Sequence, residues 1–352
     1  MATTSRARAT SSASSAWLSS PSSLIPGIAI SAAVAIASFV VSPLLKPLLP
    51  APTMVVALII GMAAYPIAAR PVFQPGITFC VKQLLRWAVA LLGLRISLGE
   101  IVALGWGTAA LTIVAMIVTI VSGFACAHLL RQKPSYGALA GAATAVCGAS
   151  AALATATVLP DYKEKSADIA FVVIGVNLLA TIAMIVYPLI AIVLHLDPAA
   201  TGIILGGTIH DVAQVVGAGY AVSTAVGNTA VIVKLFRVFL LLPVTLSIGW
   251  YLRERSADVR SRVPVPVFAI VFLLLCLLNT AVPYLGVSGI YAPIKAALGE
   301  VSNWGLLIAI SALGLGTTFS SLSTLGWRHL VTLLATTVVI LAIITLGLVA
   351  GI

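Results

Sequence analysis

Long apolar runs, interrupted by proline, glycine and clusters of charge, fill most of the chain. They predict helices near 24–42, 53–69, 84–98, 107–130, 137–159, 167–194, 201–221, 228–250, 264–283, 303–318 and 328–350. Most approach the roughly 20 apolar residues that a helix needs to cross a hydrocarbon layer. The pattern predicts an all-α, polytopic membrane protein of about eleven transmembrane helices, with 24–352 as one transmembrane domain. Residues 1–23 are rich in Ser and Ala, carry Arg6 and Arg8 and lack acidic residues, which predicts a disordered cytoplasmic tail.

Composition sharpens this picture. Of 352 residues, 61% are hydrophobic and 8% charged, and the mean hydropathy is +1.17, which leaves no room for a large extramembrane enzyme. The net charge of +10 is scattered over short loops, a topology signal rather than a nucleic-acid-binding stripe. With eleven spans, the side of the tail holds Arg6, Arg8, Arg70, Lys82, Arg86, Arg131, Lys133, Arg253, Arg255, Arg260, Arg262 and Arg328. The other side holds Lys46, Arg95, Lys163, Lys165 and Lys295. That bias predicts an inner-membrane protein with its amino terminus in the cytoplasm. Cys80, Cys126, Cys147 and Cys276 show no spacing that suggests a metal site or disulfide framework, and no cofactor is expected.

An internal repeat appears when 91–106 (LLGLRISLGEIVALGW) is laid without gaps on 312–327 (ALGLGTTFSSLSTLGW). Six positions are identical, including Gly93/Gly314, Gly105/Gly326 and Trp106/Trp327. The matching helices are the third and tenth spans, which would run in opposite directions, and inverted repeats of this kind mark transporters.

Polar residues within the apolar runs supply the candidate chemistry. Asp211 sits deep in GGTIHDVAQVVGAGY (206–220), beside His210 and one turn from Gln214. An ion there costs at least about 2.5 to 3.5 kcal/mol on insertion scales, so it needs a partner or a wet cavity. The alternative is a structural polar contact between helices. Gly206, Gly207, Gly217 and Gly219 bracket the cluster and permit a break, although close helix packing explains the glycines alone.

The next span carries Lys234 and Arg237 on one helix face, with Arg237 about 13 Å into the span. Two cations against Asp211 leave one positive charge over, the requirement for holding an anion; an oxyanion suits a guanidinium. A structural Asp–Arg or Asp–Lys pair is the bland alternative, and it leaves the second cation unexplained. The small-residue stretch AATAVCGASAALATAT (142–157) offers Thr144, Cys147, Gly148 and Ser150. If it unwinds at 147–150, a half-helix amino end would face an anion; tight packing without unwinding is the alternative. Asn177 is a weaker candidate, read as an interhelical hydrogen bond.

These segments together resemble a family of uncharacterised membrane proteins often labelled sulfate exporters. CGASA (147–151), GTIHDVAQVVGAG (207–219), Lys234-Leu235-Phe236-Arg237 and LGLGTTFSSL (313–322) carry the resemblance. It implies kinship with the cation/proton antiporter and bile-acid symporter superfamily, hence an inverted repeat with two discontinuous helices crossing at the midplane, broken at 147–150 and 208–214. Counting spans conflicts with this: the fifth and seventh are an even number apart and come out parallel. Either a span is miscounted, for instance between 166 and 200, or the second half is rearranged.

The sequence thus points to a non-enzymatic secondary transporter exporting a small inorganic or sulfonated anion. Thr144, Cys147, Gly148, Ser150, His210, Asp211, Gln214, Lys234 and Arg237 would form its site, with protons or another ion gradient as the coupling partner and the lipid bilayer as its environment. There is room for a homodimer. The rivals are a cation/proton antiporter using Asp211 and a non-transporting membrane receptor or enzyme; no nucleotide loop or nucleophile constellation supports the last.

Overall fold

The structure is a computed structural model describing residues 21–45, 53–193, 195–252, 267–285, 288–316 and 326–351. The regular elements among them are all helical. The first half holds α1 (Pro21–Leu45), α2 (Thr53–Ala63), α3 (Tyr65–Ala68), α4 (Gln74–Phe79), α5 (Leu85–Leu92), α6 (Leu98–Ala103), α7 (Gly105–Leu129), α8 (Pro134–Ala145) and α9 (Ala149–Val158). The second holds α10 (Lys165–Val193), α11 (Pro198–Thr208), α12 (Val212–Val222), α13 (Thr224–Phe239), α14 (Leu241–Tyr251), α15 (Val267–Ala281), α16 (Ser288–Gly316) and α17 (Trp327–Val349). A π-helical stretch, Cys80–Leu84, joins α4 to α5. Seven helical stretches are long and apolar enough to cross a membrane: α1, α7, α10, α13 with α14, α15, α16 and α17. The chain is a multi-pass helical membrane protein. The tail through residue 20, Lys46, the arginines of 253–262 and positions 317–325 of the repeat lie outside the described residues.

Contacts along the helices set their directions. The α2–α3 and α4–α5 runs are interrupted yet span the full depth, because Thr53 meets Ser42 at one end of α1 while Gly76 meets Gly27 at the other. A Cβ on Gly27 would stand 2.6 Å from the Gly76 Cα; only paired glycines let these helices touch backbone to backbone. The helix α5 runs antiparallel to α16, with the Ser302 hydroxyl donating to the Ala88 carbonyl at 2.7 Å and Gly316 beside Ile77. Likewise α7 opposes α17, Gly347 meeting Leu111 at one end and the Thr332 hydroxyl donating to Gln132 Oε1 at the other. The elements carrying the repeat, α5 with α7 and α16 with α17, therefore run oppositely, as inversion requires.

The segments expected as the fifth and seventh spans do not cross. The helices α8 and α9 have 12 and 10 residues, and α11 and α12 have 11 each. At about 1.5 Å per residue each reaches about 15 to 18 Å, half of a roughly 30 Å core. The start of α8 and the end of α9 share one end of the bundle, where Lys133 Nζ donates to Glu164 at 2.5 Å and Tyr136 donates to the His329 carbonyl at 2.9 Å. The start of α11 and the end of α12 share the opposite end, around a cavity of about 320 Å³ lined by His195, Pro198, Thr201, Val222, Ser223 and Val226. Packing agrees: Gly202 and Gly206 of α11 meet Thr229 and Val233 of α13 in parallel, whereas Gly219 of α12 faces Gly227 as in a hairpin.

Two re-entrant hairpins, α8–α9 from the near end and α11–α12 from the far end, replace the two expected spans. Among the described residues the eleven apolar segments become nine end-to-end runs and two hairpins. This correction removes the parallel pairing that span counting produced, since the hairpins enter from opposite ends. It also moves Lys163 and Lys165 to the end that holds Lys133, where the hydrogen bond from Lys133 holds the Glu164 carboxyl below the usual range.

Apart from α6, which touches both α15 and α13, the helices form two groups. The outer one contains α1 to α5, α15 and α16; the other contains both hairpins with α7, α10, α13, α14 and α17. They meet chiefly where α12 packs on α2 and α16.

Candidate functional site

The two hairpin tips meet halfway through the bundle. In the first tip, Gly148 has φ 66° and ψ −129°, a conformation open to glycine and strained for other residues; its Cα–H face lies against the His210 carbonyl, which would be 3.5 Å from an added Cβ. In the second tip the backbone is extended at Ile209 and Asp211. The Asp211 carboxylate then accepts from the Ala213 amide at 3.2 Å and caps α12.

Each reversal leaves carbonyls without helical partners at the ends of α8 and α11, and the two cations of α13 satisfy them. Lys234 Nζ donates to Val146 O at 2.6 Å, Ile209 O at 2.9 Å and His210 O at 2.5 Å. Arg237 spreads over both tips: Nε to Ala145 O at 2.8 Å, one terminal nitrogen to Thr144 O at 2.7 Å, and the other to Gly206 O at 3.0 Å and Ile209 O at 3.2 Å. Both side chains are 0% exposed. The sequence suggested that these cations grip a substrate anion, yet their donors are committed to backbone oxygen. The negative ends of two half-helices took the place of the anion, an arrangement hidden from span counting because both ends come from hairpins.

Adjacent threonines of α17 pin the tips. Thr336 Oγ1 bonds Thr144 Oγ1 at 3.0 Å, and Thr337 Oγ1 bonds His210 Nε2 at 3.0 Å. The His210 ring also lies beside the Thr144 carbonyl, but its buried Nδ1 completes no hydrogen bond. One turn along α12, Gln214 Nε2 reaches Thr181 Oγ1 of α10 at 3.4 Å, while its Oε1 is buried and unpartnered. Cys147 is 4% exposed and packs among core residues.

Thr144, Cys147, Gly148, His210, Asp211, Lys234 and Arg237 therefore converge, with Gln214 one turn away. Ser150 differs: on the first turn of α9 it is exposed, and Asp211 is partly exposed. Asn177 is exposed and contributes its carbonyl, which accepts from Thr181 at 2.8 Å. The sequence reading missed Thr336 and Thr337, whose signal is a pair of hydroxyls inside an apolar span. It also assigned Arg86 to a loop, although α5 carries it to mid-depth.

The chain matches the family described as Conserved hypothetical protein 698 over residues 26–333. The chain belongs to this family. Among the family's relatives, UPF0324 membrane protein TauZ of Paracoccus denitrificans is 39% identical over 328 residues, covering 92% of this chain and 94% of the relative. UPF0324 membrane protein CT0845 of Chlorobaculum tepidum is 42% identical over 303 residues, covering 84% and 82%. No solved structure matches the chain.

Proposed function

We propose that this protein is a secondary transporter exporting a small oxyanion or sulfonate across the inner membrane, with proton coupling through His210 and Asp211. The observation that carries the reading is the meeting of two re-entrant hairpins from opposite ends at a point of net positive charge. The four half-helix ends at the tips cancel in pairs, each carrying about half an elementary charge. Lys234 and Arg237 against Asp211 then leave one positive charge in excess. The carbonyl ends are already occupied, so the open electropositive feature is the amino end of α9, where the Gly148–Ser150 backbone and the Ser150 hydroxyl would receive the anion. Thr144, Cys147, Gly148, Lys234 and Arg237 hold that end in place, while Gln214 lies one turn along α12.

The near end carries Arg70, Arg131, Lys133, Lys163, Lys165 and Arg328, against Arg95 and Lys295 at the far end, which favours a cytoplasmic near end. One observation favours a cation/proton antiporter instead: Asp211 is partly exposed and, among the described residues, forms no ion pair. Reconstituted vesicles separate the two. Uptake of labelled sulfate, sulfite, thiosulfate or a short alkyl sulfonate, accompanied by proton movement, supports the anion reading. Sodium-driven proton flux with no anion flux overturns it in favour of the second.

A further inference from the structure

Arg86 lies 12 positions after Gln74, at about 18 Å along α4–α5, hence near the middle of a roughly 30 Å core. It is exposed, and among the described residues it makes no ion pair. A guanidinium at that depth does not face hydrocarbon without heavy cost, so this side of α5 lines a wet space. The buried side of α5 packs on α15 and α16. Leu85, Ala88 and Val89 are buried in the same core cluster as Cys147, Ala151, Val212 and Ala213 of the hairpins. Asp211, at the second tip, lies within electrostatic reach of Arg86. Ser150 is exposed on the first turn of α9. Asp211 links them, because its Cβ would lie 3.8 Å from a Cβ on Gly148, the residue that opens α9: a cation from the outer group, a carboxylate from one hairpin and the helix start of the other come to one depth. The π-helical Cys80–Leu84 stretch immediately precedes Arg86 and shifts the helical register there, as such segments do at functional positions.

We propose that Arg86 is a substrate-binding residue: its guanidinium holds two oxygens of a tetrahedral oxyanion or sulfonate whose remaining oxygens face the Ser150 hydroxyl and the first backbone amides of α9. This rests on the anion reading above and adds the residue that makes first contact. Lys234 and Arg237 have no free fork to offer; Arg86 has one. Because Arg86 belongs to the outer helix group and Ser150 to the hairpin group, bound anion bridges the two. Asp211 is a counter-charge within electrostatic reach of Arg86, so substrate and Asp211 compete for one guanidinium.

The test is equilibrium binding of labelled sulfate and methanesulfonate to purified full-length protein, comparing wild type with Arg86→Gln and Arg86→Lys. Loss of a charged bidentate contact is expected to weaken binding about ten- to a hundredfold in Arg86→Gln, with Arg86→Lys in between. A second arm uses Arg86→Cys in a Cys126→Ser background, since the other three cysteines are buried. A cationic methanethiosulfonate should restore affinity, an anionic one should not, and saturating sulfate should slow both reactions. If wild type binds an anion and Arg86→Gln binds it equally well while remaining folded, the role of Arg86 is overturned and the anion reading stands. If wild type binds none of the anions, both are overturned.

Discussion

The two hairpins share a length, a depth and a pair of cations, but they end differently. In α8–α9 the turn is Val146-Cys147-Gly148: it carries no charged side chain, reverses through a positive-φ glycine, and leaves the start of α9 without a carboxylate cap, the Cys147 sulfur meeting the Ala151 amide beside the exposed Ser150. In α11–α12 the turn contains His210 and Asp211, reverses through extended backbone, and closes the start of α12 with the Asp211 carboxylate. One tip is an unfilled positive end; the other brings its own anion and a titratable ring. A site built from two identical tips would either repel or neutralise itself. The difference allows one tip to seat a substrate anion while the other exchanges a proton.

The largest expected effect comes from removing what the tips share. Arg237→Met strips Thr144 O, Ala145 O and Gly206 O of their donors, while Ile209 O retains Lys234. Buried unsatisfied groups cost about 1 to 3 kcal/mol each, so thermal unfolding in detergent should show a loss of about 3 kcal/mol or more. Lys234→Met strips Val146 O and His210 O and should cost somewhat less. A monodisperse Arg237→Met protein melting with wild type would mean that the guanidinium does not organise the tips.

Next in size is Gly148→Ala. Space is not the obstacle, since the added methyl would meet its nearest neighbour at 3.5 Å. The backbone conformation is, and strain of this kind costs about 1 to 3 kcal/mol. The second tip has no positive-φ residue, so Val212→Ala at the matching start of α12 should cost only its lost methyls. Equal melting losses with equal losses of anion flux would remove the distinction between a glycine-built and a cap-built reversal.

Asp211 separates capping from charge. Asn caps a helix about as well as Asp, whereas Ala loses about 1 kcal/mol. Asp211→Asn should keep wild-type stability and lose the pH dependence of transport; Asp211→Ala should lose both. Retained pH dependence in a stable Asp211→Asn protein places the coupling proton elsewhere.

Much of this was legible in the sequence, and the reason for the rest is physical. The spans, the opposed repeat elements and both breaks follow from apolar periodicity, from the Leu-Gly-Trp match and from polar or glycine positions that an unbroken buried helix does not tolerate. Whether a break is passed through or turned back at is decided by contacts far apart in sequence, such as Tyr136 with His329, 193 positions on. Hydropathy is the same in both cases: 137–159 is long enough to cross and nevertheless folds back. The misreading of Lys234 and Arg237 has the same root, because half-helix ends carry charge that composition does not count. Arg86 was misplaced because the predicted span began at residue 84, whereas the end-to-end run begins with Gln74.

The smallest effects should come from the α17 threonines, and they bear most directly on the asymmetry. Thr336→Val removes the partner of the Thr144 hydroxyl, but that hydroxyl can rotate to a carbonyl of its own helix, as buried helical threonines commonly do. Thr337→Val removes the partner of His210 Nε2, and that ring has Nδ1 already without a hydrogen bond. The ring's other polar neighbour, the Thr144 carbonyl, already accepts from Arg237, so the buried imidazole has no free substitute. Thr337→Val should therefore cost about 1 to 2 kcal/mol, and Thr336→Val about 0.6 kcal/mol, the average for interhelical hydrogen bonds in membranes. The order matters more than either value. In a double-mutant cycle, His210→Phe should abolish the cost of Thr337→Val and leave that of Thr336→Val unchanged. If Thr336→Val proves the costlier, or if both couple equally to His210, the two tips are held as one unit and the division of labour between an anion-seating hairpin and a proton-exchanging hairpin fails.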